Sequence, residues 1–383
     1  MQIYKTRLRA RARITAATAA IAIRAHARLR ANGDAVAAGK TPEARGAALS
    51  ARHDKFPKPL KYHLLFPTRI ANFFARNMAG VIRAMCGIVG LFLKDRALEP
   101  ELGRHLAVML ETMTARGPDS AGFAIYGERA PDATKITLRA PADFDVALFA
   151  AELNAVLDFD AEIIQRSTHL VLVAPSSAEQ RALAAVKALA PQLTVSSVGA
   201  HMELYKEVGL PADVARRFDL AGMSGTHGVG HTRMATESAV TTAGAHPFST
   251  GKDQCLVHNG SLSNHNLMRR RLSREGVSFA TENDSEVAAG YLSWRIREGD
   301  SLGEALEASL KELDGFYTFV VGTDTGFGVL RDPIGCKHAV MAETDQYVAF
   351  GTEYRALSAL PGIEHARIFE PDPATVYFWE RAA

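Results

Sequence analysis

Residues Met85–Phe92 read Met-Cys-Gly-Ile-Val-Gly-Leu-Phe, and they decide how the rest of the chain is interpreted. Removal of Met85 would leave Cys86 as a chain terminus that carries both a thiol and a free α-amine. Unperturbed, the amine titrates near pH ~8 and the thiol near ~8.5. The amine can therefore serve as the base for its own thiol near neutrality. The apolar run 87–92 predicts a buried strand, so the stretch predicts a nucleophile at the start of a core strand.

The segment before Cys86 differs in charge from the remaining chain. Residues 1–85 hold 17 Lys and Arg against 3 acidic residues, which gives +14, whereas residues 86–383 hold 27 basic and 39 acidic residues, which gives −12. A peptide bond at Cys86 would also turn the amine into a non-basic amide. We therefore predict that residues 1–85 are absent from the active protein. A propeptide, a targeting segment and a misassigned start codon all remain open as explanations.

Composition excludes several classes of protein. The chain has 383 residues, 47% of them hydrophobic, yet no stretch reaches the ~18 apolar residues that a membrane span needs. The acidic part, residues 86–383, has no basic stripe of the kind that binds nucleic acid. Three cysteines without a CxxC pair indicate a reducing compartment, and we expect the cytoplasm. The sequence has no side chains at metal-ligand spacing and no flavin fingerprint. It also has too few cysteines for an iron–sulfur cluster, so no cofactor is expected on this chain.

Hydrophobic periodicity predicts strands interleaved with helices. The predicted helices are 99–114, 177–189, 284–297 and 302–313. The predicted strands are 87–92, 121–126, 169–174, 228–231, 254–258, 316–322, 326–331, 338–341 and 346–351. Their irregular order favours an α+β layered fold. Residues 130–225 follow this pattern less clearly and are interpreted as a small β/α insertion in a domain that spans 86–383.

Four further motifs follow Cys86 in a fixed order. They are Arg-Gly-Pro-Asp-Ser-Ala-Gly (116–122), Gly-His-Thr-Arg-Met-Ala-Thr (230–236), His-Asn-Gly (258–260) and Thr-Glu-Asn-Asp-Ser-Glu (281–286). Together with Cys86, these motifs resemble the class II, N-terminal-nucleophile glutamine amidotransferase domain, over essentially Cys86–Ala383. The resemblance implies a four-layer α/β/β/α sandwich. Within the family, the chain is most similar to stand-alone amidotransferase subunits of glutamate-synthase-like enzymes, including the small subunit of N-methylglutamate synthase.

The resemblance assigns roles to the chemical groups that glutamine hydrolysis needs. The Cys86 thiol would attack the side-chain amide, and the Asn259 amide with the Gly260 backbone N–H would form the oxyanion hole. Arg233 would bind the substrate α-carboxylate bidentately, and Asp284 would pair with its α-ammonium group.

The same resemblance gives supporting roles to two further residues. The sequence also departs from the family pattern at two positions. Arg116 would help to hold the nucleophile region, and Thr236 would add a substrate hydrogen bond. Met234 stands where many relatives carry Trp, and Glu237 stands where sugar-phosphate-type relatives carry His. These departures affect the region expected to cover glutamine and leave the nucleophile unchanged.

Each motif also has a simpler interpretation. Asn259-Gly260 is a typical type I′ hairpin sequence, Asp284 is a possible helix N-cap, and Arg233 could be a surface ion-pairing residue. His231 and His258 are expected to support loops. Cys255 is expected in the core, and Cys336 in a turn.

The expected function is therefore that of a glutaminase subunit. It would hydrolyse L-glutamine and pass ammonia to a partner synthase subunit, because residues 86–383 contain no second catalytic set. Flavin and iron–sulfur chemistry would belong to the partner subunits. Two alternatives remain: an independent amidohydrolase of the same fold, and a non-catalytic subunit that senses glutamine.

Overall fold

A computed structural model of the protein describes residues 86–128, 132–235 and 239–381. The strands in these ranges are β1 (Gly87–Leu93), β2 (Ser120–Tyr126), β3 (Ala133–Arg139), β4 (Glu162–Arg166), β5 (His169–Pro175), β6 (Thr194–Gly199), β7 (Met202–Val208), β8 (His227–Arg233), β9 (Phe248–Gly251), β10 (Gln254–Leu262), β11 (Gly315–Gly322), β12 (Gly326–Arg331), β13 (Val340–Glu343), β14 (Tyr347–Gly351), β15 (Arg367–Phe369) and β16 (Thr375–Glu380). The helices are α1 (Leu102–Thr112), α2 (Val146–Val156), α3 (Glu179–Leu189), α4 (Pro211–Arg217), α5 (His265–Arg274), α6 (Asp284–Arg297) and α7 (Leu302–Glu312). The mixture of helices and sheets confirms the expected α+β class. The expectations for residues 1–85, Thr236 and Glu237 lie outside the described residues.

Strand β1 lies in the middle of a seven-stranded sheet with the order β15-β13-β14-β1-β8-β2-β7. It pairs antiparallel with β8 on one side and β14 on the other, with Gly87 opposite Thr232 and Val89 opposite Gly351. Every residue of β1 is buried, which agrees with the continuous apolar run in the sequence. This register places Cys86 at the end of a central strand.

The two faces of β1 pack against different layers, because successive side chains of a strand point to opposite sides. Ile88 and Phe92 pack against residues of a five-stranded sheet, β16-β12-β11-β10-β9. Gly90 shares this face, and a Cβ at that position would lie 2.8 Å from the Phe327 ring. The glycine in Gly-Ile-Val-Gly therefore leaves room for close sheet-to-sheet packing.

Helices cover the faces of these two sheets that point away from each other. Val89 and Leu91 of the seven-stranded sheet share a core with helix α1. On the five-stranded sheet, Leu256 and Phe319 share a core with α5, α6 and α7. The apolar positions of α1, including Leu106, meet the sheet at helical spacing, which explains why the sequence forms a helix there.

Residues 133–199 form a separate layer, here called the accessory layer. It contains the four-stranded sheet β4-β5-β3-β6 with helices α2 and α3 around its own core. The rest of the segment 130–225 belongs elsewhere, since β7 pairs with β2 at the edge of the seven-stranded sheet and α4 packs in the α1 core.

Two helix starts differ from the sequence prediction. Residues 96–101 form a 3-10 helix that contains Pro100, and α1 begins only at Leu102. A second 3-10 turn, Ser176–Ala178, precedes α3. The Glu179 side chain, which opens α3, is buried and accepts a hydrogen bond from the Thr134 hydroxyl at 3.1 Å, so it binds a neighbouring strand. Among the described residues, no helix has the length and apolarity to cross a membrane.

Candidate active site

The backbone of Cys86 is held by two of the predicted site residues. Its carbonyl oxygen accepts a hydrogen bond from Asn259 Nδ2 at 3.0 Å and another from Arg116 Nε at 3.2 Å. Arg116 is itself buried, and its Nη1 pairs with Glu353 Oε1 at 2.7 Å. The structure thus brings together Cys86, Arg116 and Asn259, which lie far apart in sequence.

The Cys86 thiol is partly buried and lies 4.0 Å from the carbonyl oxygen of Met234. Burial raises the pKa of this thiol above its ordinary value, although the Met234 contact and the positive charges of Arg233 and Lys337 oppose the shift. The thiol is therefore protonated at neutral pH. A base must remove its proton before it can attack a substrate.

Asn259 and Gly260 lie inside β10, opposite Thr318 and Tyr317 of β11. The alternative interpretation as a hairpin turn is therefore wrong, because pairing between the two strands continues to Leu262. Gly260 has φ +150°, and a Cβ there would lie 2.0 Å from the carbonyl oxygen of Phe316. Only glycine fits this position, because the backbone of β11 fills the space that a Cβ would occupy.

Arg233 is the last residue of β8 and is 8% exposed, so it is not a surface residue. Its Nη1 lies 3.5 Å from the carbonyl oxygen of Ala239, and a Cβ on Gly244 would lie 3.2 Å from the same nitrogen. The guanidinium therefore lies against the segment that follows β8. Residue 234, directly after Arg233, contacts the Cys86 thiol, which places Arg233 next to the nucleophile.

Asp284 is the first residue of α6, but it is not the helix cap. The Oδ1 of Asn283 accepts from the Ser285 backbone N–H at 2.8 Å and fills that role. Asp284 Oδ2 instead accepts from the Leu262 N–H at 2.9 Å, at the end of β10. This contact links Asp284 to the strand that carries Asn259.

Two residues near the site escaped the sequence analysis. Glu353 had no sequence signal, because its partner Arg116 lies 237 positions away. Asp119 does have a signal, since it lies in the 116–122 motif. Its Oδ2 accepts from Ala235 N–H at 2.8 Å and its own N–H donates to Arg233 O at 3.1 Å. Asp119 therefore fixes the backbone where the chain leaves β8.

The histidines of the motifs are buried and neutral. Nε2 of His231 lies 3.1 Å from the carbonyl oxygen of His258, and Nδ1 of His258 hydrogen-bonds with the Ser285 hydroxyl at 2.8 Å. Burial lowers the pKa of His231 to about 3 and that of His258 to about 4. Such groups are weak bases at neutral pH. The expectation that they support loops is wrong, because His231 lies in β8 and His258 in β10, and their hydrogen bonds join these two strands and the start of α6.

Cys255 is buried in the core, as expected, whereas Cys336, expected in a turn, is exposed in the irregular segment between β12 and β13. Within the described ranges, no cluster of His, Cys, Asp and Glu side chains has the arrangement of a metal site. The site residues place a thiol nucleophile next to an amide donor and a buried guanidinium, an arrangement that suits covalent catalysis.

Comparisons with known proteins identify the family. A family model described as "Glutamine amidotransferase domain" matches residues 231–359. The chain is 59% identical over 297 residues to the glutamine amidotransferase-like protein GlxB of Rhizobium meliloti (strain 1021), covering 77% of this chain and 98% of that protein. It is 34% identical over 306 residues to a protein of Methanothermobacter thermautotrophicus named "Putative glutamine amidotransferase", covering 76% of this chain and 99% of that protein.

A solved structure with a similar chain path is the glutamine phosphoribosylpyrophosphate amidotransferase from B. subtilis, at 18% identity and a TM-score of 0.49. The match covers 77% of this chain and 47% of that one, so this chain spans about half of its length. The two sequence relatives, in contrast, are matched over nearly their whole length. The chain therefore belongs to the class II glutamine amidotransferase family.

Proposed function

We propose that this protein hydrolyses L-glutamine to L-glutamate and ammonia through a thioester on Cys86. The observation that supports this proposal most directly is the 3.0 Å hydrogen bond from Asn259 Nδ2 to the Cys86 carbonyl oxygen, because it places an amide donor beside the nucleophile. The thiol attacks the amide carbon, its proton passes through the Cys86 α-amine to the leaving nitrogen, and ammonia departs. Water then cleaves the thioester to give glutamate and the free thiol.

The charge that develops on the amide oxygen needs hydrogen-bond donors. We assign that role to the Asn259 side-chain amide and the Gly260 N–H. A single donor of this kind stabilises a transition state by roughly 3 kcal/mol. The position of Gly260 directly after Asn259 in β10 supports the assignment, because it places the two donors next to each other.

Recognition of free glutamine is assigned to Arg233 and Asp284. A buried guanidinium can bind the α-carboxylate with two parallel hydrogen bonds, which Lys cannot do. Asp284, tied to the end of β10, is assigned the α-ammonium group. Thr236 is assigned a further substrate hydrogen bond.

The active form begins at Cys86 in this proposal. Burial keeps the thiol protonated, so the reaction needs a base, and a free α-amine at Cys86 is proposed to supply it. The match to the GlxB relative covers 297 residues of this chain and 98% of that protein. This length is close to that of a domain that spans residues 86–383. The packing of two sheets between helices is proposed to be the α/β/β/α sandwich of the N-terminal-nucleophile fold.

The ammonia acceptor is proposed to lie on another subunit. Residues 86–383 carry no second catalytic set, and we infer a cytoplasmic complex with a glutamate-synthase-like or N-methylglutamate-synthase-like partner that holds flavin and iron–sulfur groups. Native purification tests this idea, with co-elution of a larger flavoprotein that raises glutaminase turnover as the expected result. A monomer whose full activity does not respond to the products of neighbouring genes favours the independent amidohydrolase.

Substrate choice tests the catalytic proposal itself. The natively expressed protein is assayed with L-glutamine, N-acetyl-L-glutamine, glutaramate and L-asparagine. Loss of one charged contact costs about 2–5 kcal/mol, so kcat/KM for the blocked or amine-free analogues is expected to fall by about 30-fold or more. Equal turnover of all four amides contradicts recognition of a free amino acid. Tight glutamine binding without turnover indicates a sensing subunit.

A further inference from the structure

Residues 239–247, here called the Arg233 loop, precede β9 and are held by side chains of β7, the edge strand of the seven-stranded sheet. Two consecutive residues of β7, Lys206 and Glu207, bind this loop through their side chains. Neither residue lies in a motif that the sequence analysis identified.

Lys206 uses its ammonium group to hold three carbonyl groups of the loop. Nζ donates to Ala245 O at 2.8 Å, to Pro247 O at 3.2 Å and to Ala243 O at 3.4 Å. It also lies 4.5 Å from the centre of the Phe248 ring. An ammonium group has three N–H donors, so these carbonyls use its full donor capacity.

Glu207 holds the same loop one residue further along β7. Its Oε1 accepts from the Thr242 hydroxyl, and its Oε2 accepts from the Thr168 hydroxyl at 3.2 Å. Thr168 lies in the accessory layer, between β4 and β5. Burial raises the pKa of the Glu207 carboxyl, but the hydrogen bonds from Thr242 and the Val208 N–H outweigh it and hold the pKa below its ordinary value. The carboxylate is therefore ionised and acts as a permanent acceptor.

The loop that these two residues hold is the one that contacts Arg233. Gly244 lies between Ala243 and Ala245, the two residues whose carbonyls bind Lys206. A Cβ on Gly244 would be 3.2 Å from Arg233 Nη1, tighter than ordinary van der Waals contact. Gly244 therefore lets the loop lie close to the guanidinium, which also contacts the Ala239 carbonyl of the same loop at 3.5 Å.

We propose that Lys206 and Glu207 are positioning residues for glutamine binding, which fix the Arg233 loop and through it the Arg233 guanidinium. This inference rests on the proposed role of Arg233 in binding the substrate carboxylate. Glu207 also joins the loop to the accessory layer through Thr168. The hydrogen bonds of Glu207 to Thr168 and to Thr242 thus link the accessory layer to the loop that contacts Arg233.

The test compares Lys206→Met with Lys135→Met in the natively expressed protein. Lys135 is a matched control, because its Nζ pairs with Glu203 of the same strand β7 at 3.1 Å without contacting the loop. Lys206→Met is expected to raise KM for glutamine by about tenfold, the effect of ~1.4 kcal/mol, with kcat changed less than about threefold. Lys206→Arg is expected to recover part of the loss, and Thr242→Val to give a smaller rise. Lys135→Met should leave KM unchanged.

A second measurement, which needs no activity, follows hydrogen exchange of the amides in residues 239–247. Lys206→Met is expected to speed exchange there and not in β1. The proposal is overturned if exchange in the loop is unchanged, or if KM stays at the wild-type value while only the thermal midpoint falls. If the wild-type protein has no glutaminase activity, the proposed function fails, while the exchange result still decides whether Lys206 fixes the loop.

Discussion

Asn259 Nδ2 donates to the carbonyl oxygen of Cys86 at 3.0 Å, joining a strand of the five-stranded sheet to the start of β1 in the seven-stranded sheet. The contact spans 173 positions of sequence. It positions the amide and the nucleophile relative to each other through the packing of two sheets, without a flexible loop between them. Such rigidity suits a site whose donors must be in place before charge develops.

Replacement of the nucleophile should separate chemistry from binding. Cys86→Ala is expected to abolish glutaminase activity, because no thioester can form, while glutamine affinity changes less than about threefold. Isothermal titration and an ammonia-release assay measure the two quantities. Cys255→Ala, in the core and away from the proposed reaction, serves as the control and should keep activity. Residual turnover in Cys86→Ala comparable to that of the control would remove the cysteine from the mechanism.

Removing a charged contact to the substrate should mainly raise KM for glutamine. Arg233→Lys loses the bidentate fork, and Asp284→Asn loses the negative charge expected to meet the α-ammonium group. Each change is expected to cost about 2–5 kcal/mol in kcat/KM, with part of the loss in kcat because remote binding energy positions the amide. Steady-state kinetics with unchanged thermal midpoints test this. If KM is unaffected by both substitutions, glutamine is not held by these groups.

Removing the proposed oxyanion donor should mainly lower kcat. Asn259→Ala removes a group that is expected to act in the transition state, so kcat should fall by roughly 10²–10³ with a small change in KM. Because the same amide holds the Cys86 carbonyl, the rate of Cys86 alkylation by iodoacetamide is measured in parallel. A kcat loss below about threefold would assign Asn259 a purely structural role.

The buried histidines predict loss of stability in acid. Burial lowers the pKa of His169 to about 4 in the folded state, whereas the unfolded value is near ~6.5. The unfolded chain therefore binds more protons below pH ~6.5, and stability falls as the pH drops towards the folded pKa. One such histidine costs roughly 2 kcal/mol between pH 7 and pH 5.

His169→Phe should remove this share of the pH dependence, measured as urea midpoints at pH 7 and pH 5. The ring packs near Tyr205 and Phe218, so an aromatic replacement keeps the apolar contacts. His365, which is exposed, provides the control through His365→Phe. An equal pH dependence in both variants would show that His169 titrates normally in the fold.

Sequence patterns predicted the parts of this structure that depend on local order. The apolar run after Cys86 forms β1, and the helix predicted at 284–297 forms α6 with the same bounds. Asn259-Gly260 was ambiguous because a hairpin turn and a strand with positive φ favour the same dipeptide. The strand was decided by pairing with β11, which local sequence does not encode.

Contacts between distant segments were not predictable in this way. Glu353 pairs with Arg116 across 237 positions, and Lys206 binds carbonyls 37 to 41 positions later. An ammonium bound to carbonyls leaves no sequence signature, because every residue has a carbonyl group. Only the three-dimensional arrangement shows that the two residues of β7 hold the Arg233 loop.

The central claim is that Cys86 is both the N-terminus and the nucleophile of the active enzyme. The natively expressed, active protein is treated with the glutamine analogue 6-diazo-5-oxo-norleucine, and the labelled N-terminal peptide is sequenced by tandem mass spectrometry. The account predicts a peptide that begins at Cys86, with a free α-amine and the adduct on its sulfur, and complete loss of glutaminase activity. An adduct on Cys255 or Cys336, or an active species that retains Met85, would contradict it.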